Sequence, residues 1–179
     1  MRKWIFLLLT LILFQTGFSL TSNTLSIVDA YVPNSKIVGS AQYKYYFFNV
    51  YRAYLFAPKG EFNDKAPYAL TLAYQRSLSG DSISEKTIEL IAEQNKSVSK
   101  NQLEDWDFKL KSIFPNVVDG SELTGILTAE GKTIFYNQEG EFLGEIKDKQ
   151  FGPNFFDIWL GENTLDTSFT QELLGEKND

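Results

Sequence analysis

The chain contains no cysteine and no histidine. Without cysteine there can be no disulfide, thiol nucleophile or thiolate metal site. Without histidine the commonest general base and the commonest metal ligand are missing. Positive charge is also scarce, with 17 Lys and Arg against 23 Asp and Glu and a formal net charge of −6. Beyond position 3 the arginines are Arg52 and Arg76 alone, and no basic patch forms that would hold a phosphate backbone. Nucleic acid is therefore not an expected partner. No Asp-x-Asp-x-Asp spacing suggests calcium, and neither a metal nor a cofactor is expected. Catalysis, if any, would be left to carboxylates, tyrosine, lysine and hydroxyls.

What is present in quantity is apolar and aromatic. Hydrophobic residues make up 43% of the 179 positions and aromatics 15%, enough for one domain with a substantial core. The first 20 residues read as a secretory signal peptide. Arg2 and Lys3 supply the positive end, and Trp4 to Phe14 form an apolar run interrupted only by Thr10. Gly17 and Ser19 offer small residues for a cut before Leu20, and a cut after Thr21 fits nearly as well. The apolar run is shorter than the roughly 20 residues that span a bilayer. No later segment is long and apolar enough to do so, and no cysteine follows for a lipid anchor. The expectation is an exported protein, periplasmic or secreted. Its mature domain would be residues 21–179, with no integral membrane segment after the leader is removed.

Along that domain, Thr21 to Thr24 reads as a polar link and Leu25 to Val32 as a loose alternation ending at the Pro33-Asn34-Ser35 turn. Lys36 to Phe56 is strand-like and apolar on both alternating faces from Tyr43 onward, which implies a strand covered on both sides or one that bends. Tyr68 to Tyr74 is a further strand. Ser82 and Glu85 form a capping box for a helix carrying Ile83, Thr87, Leu90 and Ile91 on one face. Ser99 and Gln102 form a second box, for a helix with Leu103, Trp106 and Leu110 in its stripe, ended by Pro115. An antiparallel meander follows over Glu122 to Ala129, Thr133 to Asn137 and Glu141 to Ile146. Phe151 to Gly161 and Asp166 to Leu174 close the chain as short helices. Strands, paired helices, meander and closing helices together predict an α+β layer arrangement.

Three stretches carry a resemblance. They are Val38 to Ala41 with Phe47 to Leu55, Trp106 with Phe114 to Gly120, and Phe151 to Gly161 with Leu173 to Gly175. In this order they resemble the chalcone-isomerase-like family, in its bacterial exported branch. The resemblance implies a curved antiparallel β-sheet with helices packed on one face and a ligand cleft between them. Plant enzymes of the family close a chalcone onto its own enone, using an arginine, hydroxyls and an asparagine to stabilise developing negative charge. Carried onto this chain, the arginine falls at Tyr43, or at Ile37 if no gap is allowed, and the sheet threonine at Asn49. The helix tyrosine and asparagine fall at Ile83 and Leu90, and the last hydroxyl near Ser168 or Phe169. The isomerase chemistry is therefore not expected.

The candidate cleft lining is Tyr43, Asn49, Tyr51, Arg52, Ile83 and Leu90. Asn49 is either a donor to a ligand oxygen or paired with backbone at a bulge. Arg52 either meets a ligand carboxylate or lays its stem over aromatics. Tyr43, Tyr45, Tyr46, Tyr51 and Tyr54 either line a pocket or pack the core. The leading expectation is a non-catalytic binder of a small apolar or amphipathic, fatty-acid-like ligand. The alternatives are an isomerase or lyase of altered specificity, and a cell-envelope interaction protein whose cleft is filled.

Overall fold

The computed structural model describes residues 19–176 except 66, 163 and 165. The leader therefore lies outside the described residues, apart from its last two positions. The described chain builds one six-stranded antiparallel sheet in sequence order: β1 (Ser35–Tyr45), β2 (Phe48–Pro58), β3 (Tyr68–Tyr74), β4 (Glu122–Leu127), β5 (Thr133–Asn137) and β6 (Phe142–Ile146). Between β3 and β4 the chain leaves the sheet to form α2 (Gly80–Gln94) and α3 (Lys100–Ile113). After β6 come α4 (Phe151–Leu160) and α5 (Thr167–Leu173). This is the predicted α+β class.

Period-two alternation sorts the strand residues onto two faces. Ala41, Ala53, Leu55, Leu70, Leu72 and Tyr74 point inward to a core shared with Trp106, Phe151, Phe155 and Trp159 of the helices. Tyr54, Phe56, Ala69, Ala73, Ile126 and Ile134 point the other way. That second face is covered by α1 (Ser22–Tyr31), through Val28 and the following Val32. Sequence reading had made this stretch a polar link and a loose alternation. The helix forms because the Thr21 side chain accepts from the Thr24 backbone N–H, capping the first turn, and Thr24 and Val28 fall one turn apart on the buried side. Glu122, buried in β4, ties α1 down. Its carboxylate accepts from the Thr24 hydroxyl at 2.5 Å and from the Thr21 backbone N–H at 2.9 Å.

Two further boundaries differ. Helix α2 starts a turn before the predicted capping box, with the Ser79 side chain accepting from the Ser82 N–H. The second box is present as read, with Ser99 and Gln102 bonding reciprocally. The long aromatic run is a hairpin, β1 turning into β2 at Tyr46 and Phe47. Its loop has none of the usual turn residues, and Tyr46 takes the positive φ (53°) that such loops ordinarily give to glycine or asparagine.

Glycine at two positions sets the helix layer over the sheet. A Cβ on Gly39 in β1 would lie 2.3 Å from the Glu172 carbonyl oxygen, so the end of α5 rests directly on this strand. A Cβ on Gly80 would lie 2.0 Å from the Phe114 carbonyl oxygen, so the start of α2 sits against the end of α3. A larger residue would push α5 off β1 at Gly39 and part α2 from the end of α3 at Gly80.

Candidate functional site

A cavity of about 270 Å³ lies between the inner sheet face and α2, α4 and α5. Its floor is Tyr43 of β1, Val50 and Tyr51 of β2, and Leu72 and Tyr74 of β3. One wall is a single stripe of α2, in which Ile83, Lys86, Thr87, Leu90 and Gln94 recur at helical spacing. The opposite wall is Phe155, Ile158 and Trp159 of α4 with Phe169 and Thr170 of α5. Most of this lining is aromatic or aliphatic.

Tyr43 and Tyr51 stack with ring centroids 5.0 Å apart, and Phe169 meets both edge-on. The Trp159 indole N–H donates to the Tyr51 hydroxyl at 2.9 Å. Thr170 donates to the Trp159 carbonyl at 3.0 Å, and Thr87 to the Ile83 carbonyl at 2.7 Å. Most of the polar wall is thus satisfied internally. The exception is Gln94, whose side-chain oxygen is buried without a partner among the described residues. The cation of the lining is Lys86, whose ammonium pairs with Glu89 at 2.9 Å on the solvent side of α2, an interaction that raises its pKa.

Burial pushes the Tyr51 hydroxyl well above the usual tyrosine range, and the Trp159 hydrogen bond opposes this only in part. Burial raises Tyr74 in the same way. Both phenols stay protonated at neutral pH and act as neutral hydrogen-bonding groups. The cavity thus presents an apolar interior with a few fixed dipoles, the Lys86 cation at its edge, and the Asp166 carboxylate, which accepts from the Phe169 N–H. Among the described residues no group of three or more His, Cys, Asp or Glu is placed to hold a metal.

Tyr43, Tyr51, Ile83 and Leu90 are brought together in this lining. Asn49 and Arg52 are not. The reason for Asn49 is a bulge: Tyr43 pairs with Tyr51 but Lys44 pairs with Asn49, leaving Val50 as the extra residue of β2. The extra residue reverses the alternation, so Val50 and Tyr51 both line the cavity and Asn49 is exposed beyond it. Arg52 lies on the α1 side of the sheet, where its guanidinium donates to Ser40 Oγ at 3.1 Å. Ile37 is also outside and exposed. Of the two positions considered for the last hydroxyl, Phe169 lines the cavity and Ser168 is exposed. Trp159 serves both as core and as cavity wall. Lys86 and Gln94 were missed, although both fall on the helical stripe through Ile83 and Leu90.

The sequence model described as chalcone isomerase-like matches residues 34–175, well over half of the chain. The chain belongs to the chalcone isomerase-like family. No curated protein sequence matches it significantly. Among solved structures, a fatty-acid binding protein of Arabidopsis thaliana is similar in fold, with a TM-score of 0.60 at 11% identity. The alignment covers 80% of this chain and 88% of that one. At that identity the likeness speaks for the fold. In this chalcone isomerase-like chain, the cavity is lined by Tyr43, Ile83, Leu90 and Phe169, four of the positions onto which the resemblance would carry the plant enzymes' polar groups. Neither Arg52 nor Arg76 lines it.

Proposed function

We propose that the protein is an exported, non-catalytic carrier of a small amphipathic ligand of the fatty-acid type, held between the sheet and the helix layer. The observation that carries this reading is the cavity itself. Its volume of about 270 Å³ lies close to the lower bound of ordinary ligand sites, roughly 300 Å³. Its lining is suited to an apolar tail rather than to a developing oxyanion. The tail would run along Ile83 and Leu90 against Phe155 and Trp159, and Lys86 at the edge would exchange its Glu89 partner for the acidic head. The fatty-acid class is supported by the similar fold of a protein named for binding fatty acids. An isomerase of altered specificity would need a donor in the pocket; of Tyr43 and Asn49, Tyr43 lines the cavity and Asn49 lies outside it.

Export rests on the leader. The fold favours the cut before Leu20 over the cut after Thr21, because Leu20 packs against the outer-face core and Thr21 both caps α1 and bonds Glu122. A cut after Thr21 would discard these contacts. N-terminal sequencing of the exported form should begin at Leu20.

Mass spectrometry of organic extracts from the purified protein tests the binding reading. The wild type should carry fatty-acid-like species, and Leu90→Trp, which fills the cavity, should carry none while staying folded. A wild type that extracts clean and takes up no fluorescent fatty-acid analogue would overturn the reading.

A further inference from the structure

At the end of the β1–β2 hairpin, Tyr45, Tyr46, Phe47 and Phe48 are exposed by 58%, 78%, 95% and 64%. Four consecutive aromatic rings in water are unusual for a soluble surface. Val118, 58% exposed in the loop that precedes β4, sits at the same end of the sheet. Two cations flank the rings. Lys44 is exposed at the end of β1, and the Arg76 guanidinium lies over the Phe48 ring, 5.7 Å from its centroid. Neither is ion-paired among the described residues, and Asp119 is the acidic neighbour of the recess beside the tip.

We propose that this tip docks the protein on a phospholipid bilayer, with the Phe47 ring entering the boundary between headgroups and acyl chains. Three observations select a bilayer over a protein groove. The tip is a convex two-residue turn with Phe47 almost wholly exposed, and a fluid surface accepts such a shape without a matching pocket. Its composition is that of the membrane interface: phenols at headgroup level, a phenyl ring below them, and Lys and Arg beside the phosphates. Tyr46 holds a positive φ that asparagine or glycine would adopt with less strain, so local folding preference does not account for an aromatic there. The tip is also continuous with the cavity, since Tyr43 and Val50, two residues to either side of the ring cluster, line it. A docked tip would turn that end of the cavity toward the lipid. Docking does not depend on the cavity's ligand, and delipidated protein should dock equally.

The test is sedimentation of residues 20–179, which hold the whole described fold, with vesicles of phosphatidylcholine alone and of phosphatidylcholine mixed with phosphatidylglycerol. Because residues 20–179 are acidic overall, with 15 Lys and Arg against 23 Asp and Glu for a net charge of −8, ring insertion rather than adsorption to anionic lipid must carry binding. Phosphatidylcholine alone should therefore suffice, and binding should survive high salt. The double variant Tyr46→Ser, Phe47→Ser should bind at least about tenfold more weakly. Phe108→Ser, which alters another exposed ring (77%) on α3, should change binding less than about twofold. Phe47→Trp should shift its emission to the blue on adding vesicles, relative to the wild type with the same vesicles, whose Trp106 and Trp159 supply the background. Four outcomes would each overturn the proposal. These are a wild type that ignores both vesicles, a double variant that binds as well as wild type, binding confined to anionic vesicles and abolished by salt, and a tip variant whose only effect is to dissolve a dimer.

Discussion

The two ends of one aromatic run meet opposite fates. Tyr43 and Tyr51 stack against each other beneath α5, while Tyr45 to Phe48, a few residues away on the same hairpin, stand in solvent. Composition does not separate them, because both sets are tyrosine or aromatic with similar apolar area. What separates them is reach. The helix layer covers the sheet as far as Tyr43 and Val50, and the hairpin continues past its edge. The comparison teaches that an aromatic strand is not by itself a core strand. The helices that lie over it decide which part becomes core, which part lines a cavity and which part is left for another surface.

The sharpest way to break the comparison is to truncate one ring from each end. Tyr51→Ala should cost about 3 kcal/mol by removing a packed ring and enlarging the cavity, whereas Phe47→Ala should change stability by less than about 0.5 kcal/mol. Chemical denaturation of the two variants would show the difference, and equal losses would refute it.

Titration offers a second test. The Tyr51 and Tyr74 hydroxyls have pKa values raised by burial above the unfolded value of about 10, so folding favours their protonated forms. Their contribution is complete below that unfolded value and is lost as pH rises through it toward the folded values. Above pH of about 10, stability should fall by about 1.4 kcal/mol per pH unit for each tyrosine. Tyr74→Phe should remove one share of that slope, and an unchanged slope would refute the assignment.

A smaller effect is expected from Trp159→Phe, which takes away the donor to the Tyr51 hydroxyl. Loss of about 1 kcal/mol of unfolding free energy by urea denaturation, with the fold retained, would fit that single hydrogen bond. Smallest of all, Tyr46→Asn should stabilise the hairpin by about 0.5 kcal/mol, since asparagine tolerates the positive φ better. A melting temperature that falls instead would show the Tyr46 ring making a stabilising contact, such as its edge-on packing with Tyr45 at 4.8 Å.

The parts of the fold legible in the sequence were those with local signals. The Ser99–Gln102 box and Gly161 mark helix ends by satisfying backbone groups that any helix must satisfy. The β4–β6 meander shows because its turns contain glycine at positive φ, Gly131 and Gly140. The β1–β2 turn had no such residue, so two strands read as one. Helix α1 was missed because its capping threonine sits in a polar stretch that also reads as a linker, and its apolar side is only two or three residues wide. In the site, the α2 stripe was legible from helical period through Ile83 and Leu90. Asn49 was misplaced because a single extra residue, Val50, reverses every side chain beyond it, and pairing register is a property of two strands rather than one.

By itself, then, the sequence determined the α+β class, the order of most elements and the absence of histidine and cysteine chemistry. These follow from composition and from short-range periodicity. Which face Arg52 occupies, where the bulge falls, how far the helices reach over the hairpin and whether a cavity remains beneath them were decided only in three dimensions. Each depends on contacts between segments far apart in the chain, whose register and close approach no local pattern encodes.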